Sequence, residues 1–549
     1  MPTITFSLKD LQHLVGKRLS LEELEELSYD AKGKLEGYDK EIDEVRIDFG
    51  DTNLPYLWSV EGFARFCKGI LGIEKGIPAI KIYDSECVIN VDKSVSSVRP
   101  FISAFIAKGH ILDDYSIKQV IQLQEKLSDN FGRKREKIAI GLYPLGKIGF
   151  PVQYKAVAPD SVSFIPLGFK SKISLVDILE KHPNGRAYAK ILEGRTTYPI
   201  LIDNKNDILS FPPIINSETT GRLNLGDSEI FFEATGTDLN SVLLVTSIFS
   251  QAMSDRGFKI YSVIIKYVGK SLITPQIKKE SIKIDKDKIK SLLGIEISDT
   301  KLKKLLESVR YEFHNSKVII PHYRADIMHQ VDIIEDIGIA YGYENIPEAN
   351  LESYTMGSTL RIEDFANKIR EIFIGLGYNE IMSPILSNKD LLYNRMNIND
   401  FGTVEIETYM SETYSVVRTW LLPILMYCLS KNKHVEQPHR IFEEGIVVLR
   451  IGNEIIEHQR IALISSHERA DFTEIKQILD YLFRLIDISY SIEDVEHGSF
   501  IPGRCGRIIL NNRKIGYIGE IHPAVLSNFG IETPSACMEL NLSEIFEEL

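Results

Sequence analysis

At 549 residues, with 44% apolar and 26% charged side chains, the chain exceeds a single core. It reads as roughly three to five domains at about 100–200 residues each. A formal charge of −13 excludes nucleic-acid binding through the average field and leaves that task to a local basic patch or a partner chain. No apolar run reaches the ~18 residues that a bilayer span needs, so no membrane association is expected.

The opening MPTITFSLKDLQHLV lacks the basic, then apolar, then small-residue succession of a secretory signal, and a cytoplasmic protein is expected. Cys67, Cys87, Cys428, Cys505 and Cys537 form no C-x-x-C pair and read as reduced, structural thiols. An N-terminal α/β domain (1–94) begins with a strand in PTITFS. Two helices follow in SLKDLQHLV and SLEELEELSYDAKGKL, each led by a capping serine. The turn-rich DTNLPYLW precedes another helix over residues 59–71.

Residues 95–269 mix β-rich runs (KIAIGLYPL, SVSFIPLGF, YPILID, ILSFPPII, EIFFEATGT) with helices over 117–131 and 239–256. A linker at Pro275 opens a small α/β module (270–350) of helix, helix, a VIIPHYR strand and a helix from near Val331. Its stretch 278–304 holds nine lysines against five acidic residues. That stretch, like Arg133, Lys134 and Arg135, either touches nucleic-acid phosphates or forms a solvated basic face. In residues 351–549, a helix over 362–376, strands NEIMSPIL and RIFEEGIVV and a helix over 420–431 suggest a helix-flanked antiparallel sheet. The fold class is multidomain α+β.

The sharpest chemical pattern is RADIMHQVDIIEDIGIAYGYENIP. Asp332, Glu335 and Asp336 stand at i, i+3 and i+4, so a helix projects them from one face, with Asp326 just ahead. Hard oxygen donors in that number suit Mg²⁺. Acidic residues are also favoured at a helix N-terminus by the macrodipole, and that reading stays open. His322 and His329 read as solvated or core-satisfied side chains rather than ligands.

Three long strings, FPPIINSETTGR (211–222), FFEATGTD (231–238) and YRADI with DIIEDIGIAYGYENIP (323–347), together resemble the β-subunit family of phenylalanyl-tRNA synthetases in its archaeal and eukaryotic form. Further colinear matches are DTNLPYLWSVEGFAR, QEKLSDNFGRKREKIAIGLY, HPNGRAYAKILEG and GRIIL with GYIGEIHPAVL, so the resemblance covers nearly the whole chain. It implies a phenylalanine-tRNA ligase assembled as a heterotetramer of two α and two β chains that joins phenylalanine to tRNA(Phe) using ATP and Mg²⁺. The ATP site belongs to α.

The resemblance also makes residues 95–269 an editing domain that hydrolyses tyrosyl-tRNA(Phe), with Asn216, Ser217, Glu218, Thr235, Thr237 and Asp238 as its candidate residues. The alternative that Asn and Ser merely build turns stays open. Mg²⁺ is implied at Asp326, Asp332, Glu335 and Asp336, with Asp336 standing where the family more usually has Glu. Residues 351–549 resemble a class II synthetase core without its catalytic motifs: LGYNEIMSPIL (376–386) is similar to the first motif and HRIFEEGIVV (439–448) to a degenerate second. In place of a Gly-rich third motif with its Arg, GYIGEIHP (516–523) offers Glu520 and His522, which disfavours a polyphosphate. A competing expectation from another class is a non-catalytic assembly and tRNA-docking subunit whose editing site has decayed.

Overall fold

A computed structural model describes residues 2–50, 53–351 and 353–549. Asp51 and Thr52, which begin the turn-rich DTNLPYLW segment, and Glu352 lie outside the described residues. The chain divides into two compact units, Met1–Asn350 and Leu351–Leu549. Among the described residues no helix is long and apolar enough to cross a membrane.

The first unit opens with the strand Thr3–Ser7, antiparallel to Glu44–Phe49, which also pairs with Gly33–Asp39. Alternation turns Ile4 and Phe6 inward, where both are buried. Ser7 caps the helix Leu8–Val15, and Ser20 with Glu23 forms a reciprocal capping box on Leu21–Asp30. The GKL expected to end that second helix instead starts a strand. Lys32 takes a positive φ of 58° just before it, which stops helical continuation.

The principal sheet of this unit runs, by position, from Ile215–Asn216 through Ile208–Phe211, Tyr198–Ile202, Val152–Val157, Val88–Val91, Lys259–Tyr267, Phe101–Lys108 and Glu229–Gly236 to Ile138–Pro144. Its last three strands are antiparallel and buried on both faces, which explains why EIFFEATG reads as a nearly unbroken apolar run. Ile230, Phe232 and Ala234 pack beneath the helices Asp114–Lys126 and Leu239–Asp255. Phe231, Glu233 and Thr235 necessarily face the other side. The sheet curls until its two edge strands face each other, bringing Asn216 Nδ2 to 3.4 Å from the Leu142 carbonyl oxygen. Two short helices, Leu175–Lys181 and Pro183–Tyr188, lie in a stretch to which the sequence pattern assigned no element. Ser174 caps the first of them, and their brevity leaves no apolar period to detect.

The small module has the expected order, with helices Lys286–Leu293 and Asp299–Ser308, strand Lys317–Ile320 and helix Gln330–Tyr341.

The second unit is a seven-stranded sheet ordered Asn379–Glu380, His439–Ile451, Glu454–Ser466, Ser535–Asn541, Arg513–Ile521, Phe500–Leu510 and Ser491–Asp494. It is antiparallel except for its first pair. Helices Arg361–Gly375, Phe472–Leu485 and Leu542–Glu547 cover one face through Ile369, Leu479 and Ile545; Leu422–Lys431 and Pro523–Phe529 cover the other through Leu425 and Val525. The strand expected across NEIMSPIL shrinks to Asn379–Glu380 in this sheet, and Leu386–Ser387 pairs elsewhere with Val416–Val417. Pro384 has no N–H for a ladder, and Met382 beside it is fully exposed. Beneath this stretch Arg418 and Glu443 form a buried ion pair at 2.5 Å, and Ser383 Oγ donates to Glu443 at 2.7 Å.

Candidate functional site

Where the two edges of the curled sheet meet, a cavity of ≈ 300 Å³ opens. Ile117, Ile121, Ile140, Leu142 and Leu223 make it apolar, while Asn216, Glu233 and Thr235 supply polar atoms. Glu233 is 3% exposed, and burial raises its carboxyl from 4.5 to about 7 against the opposing effects of the Tyr143 hydroxyl and the Arg99 guanidinium. Tyr143 Oη donates to Glu233 Oε1 at 3.0 Å, and Glu233 Oε2 has no protein partner. The same hydroxyl lies 3.4 Å from Asn216 Oδ1. Gly141 is required across the strand: a Cβ there would stand 2.3 Å from Tyr143 Oη and 2.4 Å from Glu233 Oε1.

Thr235 is fully buried, and its hydroxyl accepts from Arg99 Nε at 3.0 Å, so its own hydrogen is free to point elsewhere. Arg99 is buried too, with its remaining nitrogens on the carbonyls of Thr235 and Glu136. Burial pushes it down to about 10, which leaves it charged at neutral pH. Arg135, read as a candidate phosphate contact, instead lines the cavity, stacks over Tyr188 at 4.3 Å and donates to the Ile214 carbonyl at 3.0 Å.

Of the six residues singled out from the sequence, Asn216 and Thr235 line this cavity and four do not. Ser217 is buried in a hydroxyl turn with Thr219, at 2.8 Å. Glu218 accepts from the Gly168 N–H at 2.8 Å and pairs with Arg222 at 2.9 Å. Thr237 is exposed. Asp238 caps the helix Leu239–Asp255, accepting from Ser241 N at 3.0 Å, and the Ser241 hydroxyl holds its carboxyl below the usual range. Replacing Asp238 by alanine is therefore expected to destabilise the first unit by about 1 kcal/mol in urea unfolding, with asparagine nearly neutral. Glu233 and Arg99 were not anticipated, although a lone acid inside the buried FFEATG run was a usable signal.

The four carboxylates do not converge. Asp326 and Asp336 share Arg324, whose Nε and Nη1 donate at 3.1 and 2.7 Å, and Asp336 also accepts from Tyr311 Oη at 2.6 Å. Asp332 turns back to the N–H groups of Met328 and His329, both at 2.8 Å, closing the cap of Gln330–Tyr341. Glu335 pairs with Lys32 at 2.9 Å. Among the described residues no three such side chains gather around a metal position. This arrangement does not fit Mg²⁺, because a guanidinium already supplies the positive charge between the two closest carboxylates. Millimolar Mg²⁺ is expected to leave the melting temperature of the isolated chain unchanged, and a stabilisation that Asp336→Asn removes would refute this.

His329 is exposed, as expected, while His322 is buried without being satisfied. His329 accepts from Val331 N at 3.3 Å as a cap, whereas His322 is buried with both ring nitrogens unpartnered, and burial pushes it down to about 3.

Comparison with known proteins places this geometry in a lineage. Residues 346–542 match the family described as phenylalanyl tRNA synthetase beta chain CLM domain, and residues 282–343 match the tRNA synthetase B5 domain. The phenylalanine--tRNA ligase beta subunit of Pyrococcus horikoshii is 41% identical over 555 residues, covering 100% of both chains. That of Archaeoglobus fulgidus is 37% identical, covering 100% of this chain and 99% of its own. Among solved structures, an N-terminal fragment of the P. horikoshii phenylalanyl-tRNA synthetase beta subunit is 40% identical with a TM-score of 0.60, over 62% of this chain and all of the fragment. End-to-end identity at this level establishes that the chain belongs to the family of phenylalanine–tRNA ligase β subunits.

Proposed function

We propose that the cavity around Glu233 is an editing site that removes tyrosine from mischarged tRNA(Phe), while the α subunit binds ATP and performs aminoacylation in a heterotetramer of two α and two β chains. The observation that carries this reading is the buried carboxyl with one unpartnered oxygen in a cavity of ≈ 300 Å³ that sets apolar walls beside Asn216 and Thr235. An apolar pocket built for phenylalanine rejects tyrosine poorly, because the two differ by one added hydroxyl. A second pocket discriminates in the opposite sense when it holds a buried polar atom that only tyrosine satisfies. Phenylalanine in the same place leaves Glu233 Oε2 without a partner, at about 1–3 kcal/mol.

Hydrolysis then needs an oriented water rather than a protein nucleophile. Among the described residues no cysteine or histidine lines the cavity. The Asn216 amide and the free hydrogen of the Thr235 hydroxyl are the groups placed to orient water or the ester carbonyl. Mg²⁺ enters the reading only as a requirement of the assembled enzyme, not through Asp326, Asp332, Glu335 and Asp336 as they stand here.

The test is deacylation of tyrosyl-tRNA(Phe) by the complex with α. Wild type is expected to release tyrosine, and Asn216→Ala to lower the rate by about 10²-fold while phenylalanylation continues. Absence of release by wild type would instead support an assembly subunit with a decayed site.

A further inference from the structure

The second unit carries a separate cavity of ≈ 410 Å³ on the sheet face beneath the helix Leu422–Lys431. Four adjacent strands contribute Arg460, Glu539, Tyr517 and Arg507 to it, and Phe401 and Trp420 wall it. The rings meet edge-on or tilted. His497 lies 4.7 Å from Tyr517 and 6.0 Å from Trp420, and Phe401 stands edge-on to Trp420 at 6.3 Å.

The lining sets Arg460, Arg507 and Lys514 against Glu539 and Glu544, which leaves an excess of positive charge. Glu539 is committed: its Oε2 accepts the Leu421 and Leu422 N–H groups at 2.9 and 3.0 Å, and its Oε1 accepts from Arg460 at 3.0 Å. Among the described residues Arg507 has no carboxylate within ion-pair distance. It lies over the Tyr517 ring at 4.0 Å and donates only to the Lys514 carbonyl, at 3.2 Å. The Nε groups of both Arg460 and Arg507 are buried without an acceptor. Each guanidinium is half-buried as a whole, but a buried Nε with its donor unused is costly unless an acceptor completes it.

We propose that this cavity binds a small planar aromatic ligand bearing one anionic group, a carboxylate or a phosphate. The ring lies among Phe401, Trp420 and Tyr517, and the anion meets Arg507, whose planar fork matches either oxygen pair. The site lies in a unit that the editing reading does not use, so it stands or falls separately.

Trp420 gives a direct readout, because the only other tryptophan, Trp58, is fully buried in the other unit. Full-length protein is titrated with benzoate and, separately, with adenosine monophosphate while tryptophan fluorescence is followed. A saturable change with at least one probe is expected, and the probe that binds identifies the anion. Arg507→Gln should weaken binding at least about tenfold, as should Tyr517→Leu, which removes the ring and keeps the charge. Arg504→Gln, at an arginine paired with Glu520 outside the cavity, should not. No saturable change with either probe at millimolar concentration, or binding that survives both cavity variants, overturns the proposal.

Discussion

Replacing Glu233 by glutamine is expected to stabilise the first unit at alkaline pH and to abolish its pH dependence. The native carboxyl is raised from 4.5 to about 7, so between those values the folded chain holds a proton that the unfolded chain has lost. Stability therefore falls as pH rises through that window and stays low above it; the difference is about 3 kcal/mol. Below the unfolded value both states are protonated and the effect disappears. Denaturant unfolding of wild type and Glu233→Gln from about pH 4 to about pH 9 checks this, and curves that remain parallel would sink it. Glu233→Ala, with no group for the phenol, should reduce the preference for tyrosyl over phenylalanyl ester by about 10–100-fold.

The second large effect belongs to Arg418. Its side chain is 5% exposed and that of Glu443 is 2% exposed. Arg418→Met removes the guanidinium and leaves a carboxylate buried with only Ser383 Oγ and the Ser383 N–H against it. Breaking such a pair costs about 3–5 kcal/mol, and the melting temperature of the second unit should fall by about 10 °C. The double variant Arg418→Met with Glu443→Leu should recover most of that loss, since the unpaired charge goes with it. Calorimetry of the full chain decides: a double variant no better than the single one means that the ion pair itself, rather than the orphaned charge, carries the stability.

Local signals in the sequence were legible where one residue and its near neighbours decide the outcome. Ser7, Ser20 and Ser59 cap the helices they precede, because a short hydroxyl reaches the N–H three residues on. The same chemistry is ambiguous at the candidate site. Ser217 and Asp238 look like catalytic side chains, yet they satisfy nearby backbone and hydroxyl groups. Spacing correctly put Asp332, Glu335 and Asp336 on one helix, but their destinations depend on Arg324, Tyr311 and Lys32 from elsewhere in the fold. Glu233 escaped notice for a related reason: only its burial gives the carboxyl its altered affinity for a proton, and burial follows from strand pairing rather than from the string FFEATG.

The cavity is bounded by the first and last strands of one continuous sheet, with Gly141 keeping its floor thin. Widening the opening along these strands means sliding hydrogen-bonded ladders past one another, whereas the side closed by Gly221, Arg222 and Leu223 is loop. Along the strand edges the coil of the sheet acts as a gauge for a guest's width, and any room for a bulkier one has to come from the loop side.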